Sequence, residues 1–155
     1  MTDSTIPAEL DDERIDAVGL FLEAHAELVG LLDRDLQAAC GLPLRWFEVL
    51  LRLARSPGQS LTATDLARAV VLSSGGATRL VDRLEHEGLI ERQPGEQDRR
   101  IVRVVLTERG LGVLVSAVPA HVECIDRHVV SSLGTDGVQS LATISRTLRD
   151  ALSER

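Results

Sequence analysis

The sequence predicts a mainly α-helical chain with one small β-hairpin at its centre. Three observations carry this. Apolar residues recur at spacings of three and four over residues 11–39, 108–131 and 136–152, the period of amphipathic helices. Two shorter helical stretches, 63–70 and 74–87, are joined by Val71-Leu72-Ser73, the proportions of a helix-turn-helix. Directly afterwards the apolar period drops to two over residues 89–105, around a turn that contains Pro94-Gly95. A length of 155 residues is one domain's worth, and 44% apolar with 26% charged residues is the balance of a soluble globular protein.

The first long helix, 11–39, follows a short acidic tail. It places Ile15, Val18, Leu22, Ala26, Val29, Leu32 and Leu36 on one stripe, and Phe21, Leu28 and Leu31 widen that stripe to a second flank. A helix with two apolar flanks needs more than one partner. Cys40-Gly41 ends it with glycine in the C-cap region, and Pro43 opens a second helix near its first position, running through Phe47, Leu50 and Leu53 to about Arg55. Ser56-Pro57-Gly58 reads as a loop. Thr62-Ala63-Thr64-Asp65 fits a capping box for the helix at 63–70, with a hydroxyl and a carboxylate each available to an orphan backbone N–H. Ser73 is the cap candidate for the helix at 74–87, which turns Ala77, Leu80, Val81 and Leu84 to one face and stops at Gly88. Residues 89–92 and 100–105 read as strands around the turn-rich stretch 94–98. Thr107 caps a long helix of about 108–131, which Pro119 is expected to bend. Residues 132–135 break the chain before a last helix of about 136–152 with Val138, Leu141, Ile144, Leu148 and Leu152 on its apolar face. Terminal helices too apolar for one small domain are most simply explained by pairing with a second copy.

Net charge is −7, and the three aromatic residues are Phe21, Trp46 and Phe47. A uniformly basic nucleic-acid protein is excluded, and so few aromatics argue against single-strand binding by stacking. The charge is unevenly spread. Residues 1–48 carry 11 acidic and 3 basic side chains, for −8; residues 49–110 carry 8 and 10, for +2; residues 111–155 carry 5 and 4, for −1. All 17 basic residues are Arg, whose planar fork suits phosphates and guanine edges. Two cysteines, Cys40 and Cys124, cannot make a disulfide framework. The start MTDSTIPAELDDER lacks the features of a secretory signal, and no apolar run approaches the ~18 residues of a membrane span, so a cytoplasmic location without membrane contact is expected. There is no P-loop, GxSxG or GxGxxG and no evident nucleophile–base pair, so neither an enzyme nor a cofactor is expected.

The stretch LSSGGATRLVDRLEHEGLIERQPGEQDRRIVRVVLTERG, residues 72–110, resembles the MarR (multiple antibiotic resistance regulator) family of winged helix-turn-helix transcription factors. It follows that family's order: recognition helix, glycine stop, first wing strand, wing tip Asp98-Arg99-Arg100, second wing strand, then Leu-Thr-x-x-Gly ahead of the dimerisation helix. The likeness continues upstream through GLPLRWFEVLLRLARSPGQSLTATDLA and downstream through Pro119-Ala120-His121, so it covers nearly the whole chain. The resemblance implies one domain over residues 1–155, mainly α with a small β-hairpin wing. Its winged helix-turn-helix core, at 43–107, would be flanked by dimerisation helices at 11–39 and 108–152. It further implies a homodimer on pseudo-palindromic double-stranded DNA that represses nearby genes, relieved by a small ligand or by cysteine oxidation. The acidic net charge suggests an alternative, a protein-binding adaptor that kept the fold and lost DNA. Against it stand the +2 middle third and Arg79, Arg83, Arg99 and Arg100 on the recognition helix and wing.

In a helix-turn-helix the second helix enters the major groove N-terminus first, so Ser73, Ser74, Gly75, Thr78 and Arg79 are the positions that could reach base edges or phosphates. Gly75-Gly76 lets the helix start approach the backbone closely, although Ser-Ser-Gly-Gly also fits a plain cap. Arg83, one turn beyond Arg79, is a candidate phosphate contact, while Asp82 and Glu85 can pair with neighbouring Arg at helical spacing. Thr62 and Thr64 are candidate phosphate contacts as well as caps. The resemblance places Arg100 in the minor groove, held in its pose by Asp98 and accompanied by Arg99; the same residues also fit a solvated turn.

The resemblance also implies a site for a small aromatic or phenolic effector between the dimerisation helices and the winged unit, on the segments that carry His25, Arg45, Trp46 and Arg52. A lone His or Trp on such helices is more often core. His121, Cys124 and His128, at i, i+3 and i+7, put three metal-ligand types on one side of a helix. Zinc would need a fourth ligand, and no CxxC or HExxH supports it, so no metal is expected. Cys40 reads as a buried, inert thiol, because the peroxide-sensing branch of the family carries its cysteine near the start of the first helix.

Overall fold

The computed structural model describes residues 11–69, 74–95 and 98–153. Helix α1 (Glu13–Cys40) leads to α2 (Leu44–Ala54), a 3-10 turn (Pro57–Gln59), strand β1 (Ser60–Thr62), α3 (Ala63–Ala69) and α4 (Ser74–His86). Strands β2 (Ile90–Pro94) and β3 (Val102–Leu106) follow. After them come α5 (Glu108–Ile125), a π-helical segment (Asp126–Val130) and α6 (Ser131–Ser153). No helix among the described residues is long and apolar enough to cross a membrane.

Local chemistry sets the element ends. Asp12 caps α1 by accepting from the Arg14 N–H, and Gly41, at φ 70°, closes it with its own N–H donating to Gln37 O. Pro43 is the N-cap of α2 rather than its first helical residue. The side chain that serves the start of α2 comes from α1, where Asp33 Oδ1 accepts the Leu44 N–H at 2.8 Å. Thr62 caps α3, with the Asp65 N–H donating to Thr62 Oγ1 at 3.0 Å, but the Asp65 carboxylate, expected to serve a backbone N–H, instead accepts the Thr62 hydroxyl at 2.7 Å. Thr107 caps α5, accepting from the Gly110 N–H at 3.0 Å and donating its hydroxyl to Gly88 O at 2.8 Å, which ties the stop of α4 to the start of α5.

The core gathers around α2, whose Leu44, Phe47, Val49, Leu50 and Leu53 are all buried. Leu36 of α1, Leu66 of α3, Val81 and Leu84 of α4, Ile90 and Val104 of the sheet and Leu114 of α5 complete one continuous cluster. The winged unit therefore shares one core with α1 and α5, to which α6 adds no buried residue.

Four expectations change. The loop expected at Ser56-Pro57-Gly58 runs into the 3-10 turn, and residues 60–62, for which the sequence predicts no strand, form β1, so the hairpin is the larger part of a three-stranded antiparallel sheet in the order β1-β3-β2. Its register pairs Ser60 with Val105 and Ile90 with Leu106. The second wing strand begins at Val102, not at residue 100, because Ile101 donates its N–H to Asp98 O at 3.0 Å and so closes a turn. The expected break at 132–135 is a single residue, Gly134 at φ 64° and ψ 177°, inside α6. Pro119 lies within α5, and a shift to π-helical bonding, which no sequence signal announces, follows at 126–130. The helix-turn-helix connection, Val71-Leu72-Ser73, lies outside the described residues.

Candidate nucleic-acid interface

Helix α4 is one-sided. Ala77, Val81 and Leu84 are buried and Leu80 half-buried, which leaves Thr78, Arg79, Asp82, Arg83 and His86 exposed on the other side. The face assigned from the sequence period is the face observed. Ser74 and Gly75 form the first turn of this helix; Ser73 lies outside the described residues. Thr64 is exposed and Thr62 half-buried at the start of α3.

Between α3, α4 and β2 runs an open groove of about 430 Å³ lined by Thr64, Arg68, Thr78 and Arg92 over a floor of Ala63, Ala67, Ala77 and Val81. It brings Thr64 and Thr78 together, two positions that lie far apart in sequence. It also adds Arg68 and Arg92, which sequence reading passed over. Arg68 was legible: it lies one helical turn after Thr64 and is exposed, 3.9 Å from Asp65. Arg92 was not. Asp82 and Glu85 pair with this strand arginine, at 2.5 Å for Asp82, where an intrahelical partner was expected.

At the wing tip Asp98, Arg99 and Arg100 are all exposed. Asp98 Oδ1 accepts the Arg100 backbone N–H at 2.9 Å, so the carboxylate shapes the turn from which the Arg100 side chain departs. The tip is narrow. A Cβ on Gly95 would meet Asp98 O at 2.7 Å, so glycine is needed for the strands to close around the turn. Behind the tip, Arg103 of β3 donates to the Ser60 hydroxyl of β1 and fastens the third strand to the wing.

The effector candidates are not one buried set. Trp46 is half-buried against the core, while Arg45, 3.7 Å from Glu48, and Arg52 are exposed on α2. His25 is exposed on α1, its ring centroid 6.4 Å from that of Phe21.

His121 stands apart from Cys124 and His128, which share Asp35 as a partner. The His121 ring packs on Phe47 with centroids 4.3 Å apart, its Nδ1 is buried without a hydrogen-bond partner, and burial lowers its pKa. Burial raises the pKa of the Cys124 thiol. His128 Nε2 lies 2.7 Å from Asp35 Oδ2, and Arg127 approaches the same oxygen at 3.2 Å. The His128 hydrogen bond, aided by these neighbouring charges, holds the Asp35 carboxyl below its ordinary value. No group of three or more His, Cys, Asp or Glu among the described residues could hold a metal ion. Cys40 is exposed, contrary to expectation: it is the last residue of α1, where the chain turns at Gly41, and its thiol faces the Leu36 carbonyl at 3.2 Å.

Comparison with known proteins agrees with this architecture. Residues 41–101 match the MarR family. The transcriptional repressor MprA of Escherichia coli (strain K12) is 32% identical over 135 residues, 87% of this chain and 76% of that protein. Among solved structures, the MarR family regulator AbsC of Streptomyces coelicolor superposes with a TM-score of 0.80 at 30% identity, over 94% of this chain and 98% of that one. Sco3205 of the same organism, a MarR family regulator solved in complex with DNA, superposes with a TM-score of 0.81 at 31% identity, over 92% of this chain and 90% of that one. A mainly helical chain with a small three-stranded antiparallel sheet and relatives that are transcriptional regulators, not enzymes, thus belongs to the MarR family.

Proposed function

We propose that the chain is a homodimeric, sequence-specific DNA-binding transcriptional regulator, a repressor that sits on a pseudo-palindromic operator. The observation that carries this reading is the likeness to Sco3205, a protein solved in complex with DNA, over 92% of the chain at 31% identity. The exposed side of α4 fits it, since Thr78, Arg79 and Arg83 are all exposed there. Ser73, Ser74, Gly75, Thr78 and Arg79 take the major groove, and Thr62, Thr64 and Arg83 take phosphates. Arg100 enters the minor groove from a tip shaped by Asp98 and shared with Arg99. Affinity then rests on counterion release by a few arginines. The repressor sense follows that of MprA. A small aromatic or phenolic effector near His25, Arg45, Trp46 and Arg52 would act by changing the separation of two recognition helices that must stand about 34 Å apart to read adjacent half-sites.

A mobility-shift assay on the DNA upstream of the chain's own gene tests the reading, and no shift even at low salt would overturn it. In the same assay Arg100→Ala should weaken binding and flatten its dependence on salt, by about one phosphate contact's worth of slope. Unchanged binding across the salt series would remove the wing from the mechanism.

A further inference from the structure

Arg92 stands on β2, outside the helix assigned to the major groove, yet its side chain is committed to that helix. Its Nη2 donates to Asp82 Oδ1 at 2.5 Å, its Nη1 donates to Glu85 Oε2, and its backbone N–H donates to Glu85 Oε1 at 2.9 Å. Asp82 is 57% exposed and sits between Arg79 and Arg83 in the sequence of α4, on their side of the helix. Thr78, Asp82 and Glu85, at i, i+4 and i+7, form the helix edge beside β2, and Thr78 and Arg92 both line the groove shared with Thr64 and Arg68. The charged set on α4 is Arg79 and Arg83 against Asp82 and Glu85, which nets to zero with His86 neutral. A helix with two bare carboxylates among its arginines would repel the phosphates it must lie against. With Arg92 folded onto both carboxylates the local sum becomes +1, and the acidic groups are already engaged when a duplex arrives.

We propose that Arg92 is a positioning residue for DNA binding: it neutralises Asp82 and Glu85 and so lets α4 approach the phosphate backbone. The proposal rests on the DNA-binding reading above. Partly exposed ion pairs add little to stability, so the consequence lies in the charge that α4 shows to a polyanion, with the fold itself little altered.

The test is fluorescence anisotropy with a labelled duplex of about 30 base pairs, long enough for two half-sites, selected by the wild-type protein from a randomised pool. Arg92→Met should weaken binding about tenfold, within the range seen when a shared ion-pair network is broken. Adding Asp82→Asn and Glu85→Gln to that variant should restore affinity to within about threefold of wild type. An arginine that touched phosphate, or merely braced the fold, would not be replaced by removing its carboxylate partners. A triple variant as weak as Arg92→Met therefore overturns the proposal, and so does an Arg92→Met variant with wild-type affinity. Should Arg92→Met fail to fold by circular dichroism, Asp82→Asn with Glu85→Gln on the intact Arg92 carries the test: it should bind at least as tightly as wild type, and weaker binding overturns the proposal. Failure of the underlying reading is distinguishable, because the wild-type protein would then enrich no sequence and bind no duplex at low salt.

Discussion

His121 and Phe47 meet where α5 packs on α2, and the contact has a polar defect. The ring has an aromatic neighbour at 4.3 Å, but its Nδ1 is buried without a partner, so the fold tolerates the neutral imidazole and resists the charged one. Burial accordingly lowers its pKa from the ordinary 6.5. Between the lowered native value and the unfolded value the unfolded chain binds more protons, so stability rises with pH across that window. The contribution is fully present above about pH 6.5, is lost as pH falls through the native pKa, and does not fall further once both states are protonated. Asp35 acts in a separate, more acidic window: its carboxyl lies below the ordinary 3.8, so its contribution is present above that value and is lost as pH falls through the lowered one. His121→Phe keeps a ring against Phe47 and removes both the orphan nitrogen and the titration. Urea unfolding midpoints of this variant should be flatter than wild type from about pH 7 down to about pH 5.5. An unaltered slope over that range would mean that the pH dependence has another source.

At the scale of elements, the tightest junction is where the wing hands over to α5. Gly110 lies in the first turn of α5, and a Cβ there would fall 2.0 Å from Leu89 O and 2.9 Å from Leu106 Cδ1. The same Leu89 carbonyl accepts the Thr107 N–H at 3.2 Å, so the helix cannot step back without breaking its own cap region. Gly110→Ala should cost about 3 kcal/mol or more in urea denaturation, the upper end of overpacking. Gly112→Ala, where a Cβ meets nothing within 4 Å, should raise stability by up to about 1 kcal/mol, the helix propensity difference. Equal effects at the two positions would refute the packing account. The sequence marks this junction by Leu-Thr-x-x-Gly, and the caps at Thr62 and Thr107 and the stops at Gly41 and Gly88 were legible in the same way, because each acts within a few residues. What is not local was not legible. Strand β1 is three residues long and pairs with residues more than 40 positions downstream, so it has no period of its own to detect. Alternation carried the second wing strand two residues too far, since Ile101 continues the apolar pattern while its N–H is spent on a turn. At the candidate site the exposed face of α4 followed from helical period alone. Arg92 did not, because its partners lie seven and ten residues back on another element.

Over the whole molecule the apolar surface does not close. Ile15, Val18 and Leu22 on α1 are each more than half exposed, and Ile144 and Leu152 on α6 are 64% and 59% exposed, with Leu148 at 46%. These are stripe residues at helical spacing. They belong to the long helices, while α2 keeps its large apolar residues in or against the core, which is the pattern expected if a second copy covers them. The charge layout agrees with such a dimer on DNA: −8 over residues 1–48, away from the recognition unit in sequence, and +2 over residues 49–110, where the duplex is proposed to lie. Acidic flanks also discourage loose association with any polyanion, so binding should depend on the few arginines that reach a matched site. Replacing both Ile144 and Leu148 by Glu places two charges on the α6 stripe and should convert the protein to a monomer in light scattering behind size exclusion. The same variant should lose the rise of thermal midpoint with protein concentration that a dimer shows. On DNA the slope of log affinity against log salt should fall to about half of the wild-type value, because one winged unit then releases the counterions that two released before. A variant that stays dimeric with an unaltered salt slope would place the interface elsewhere than on α6.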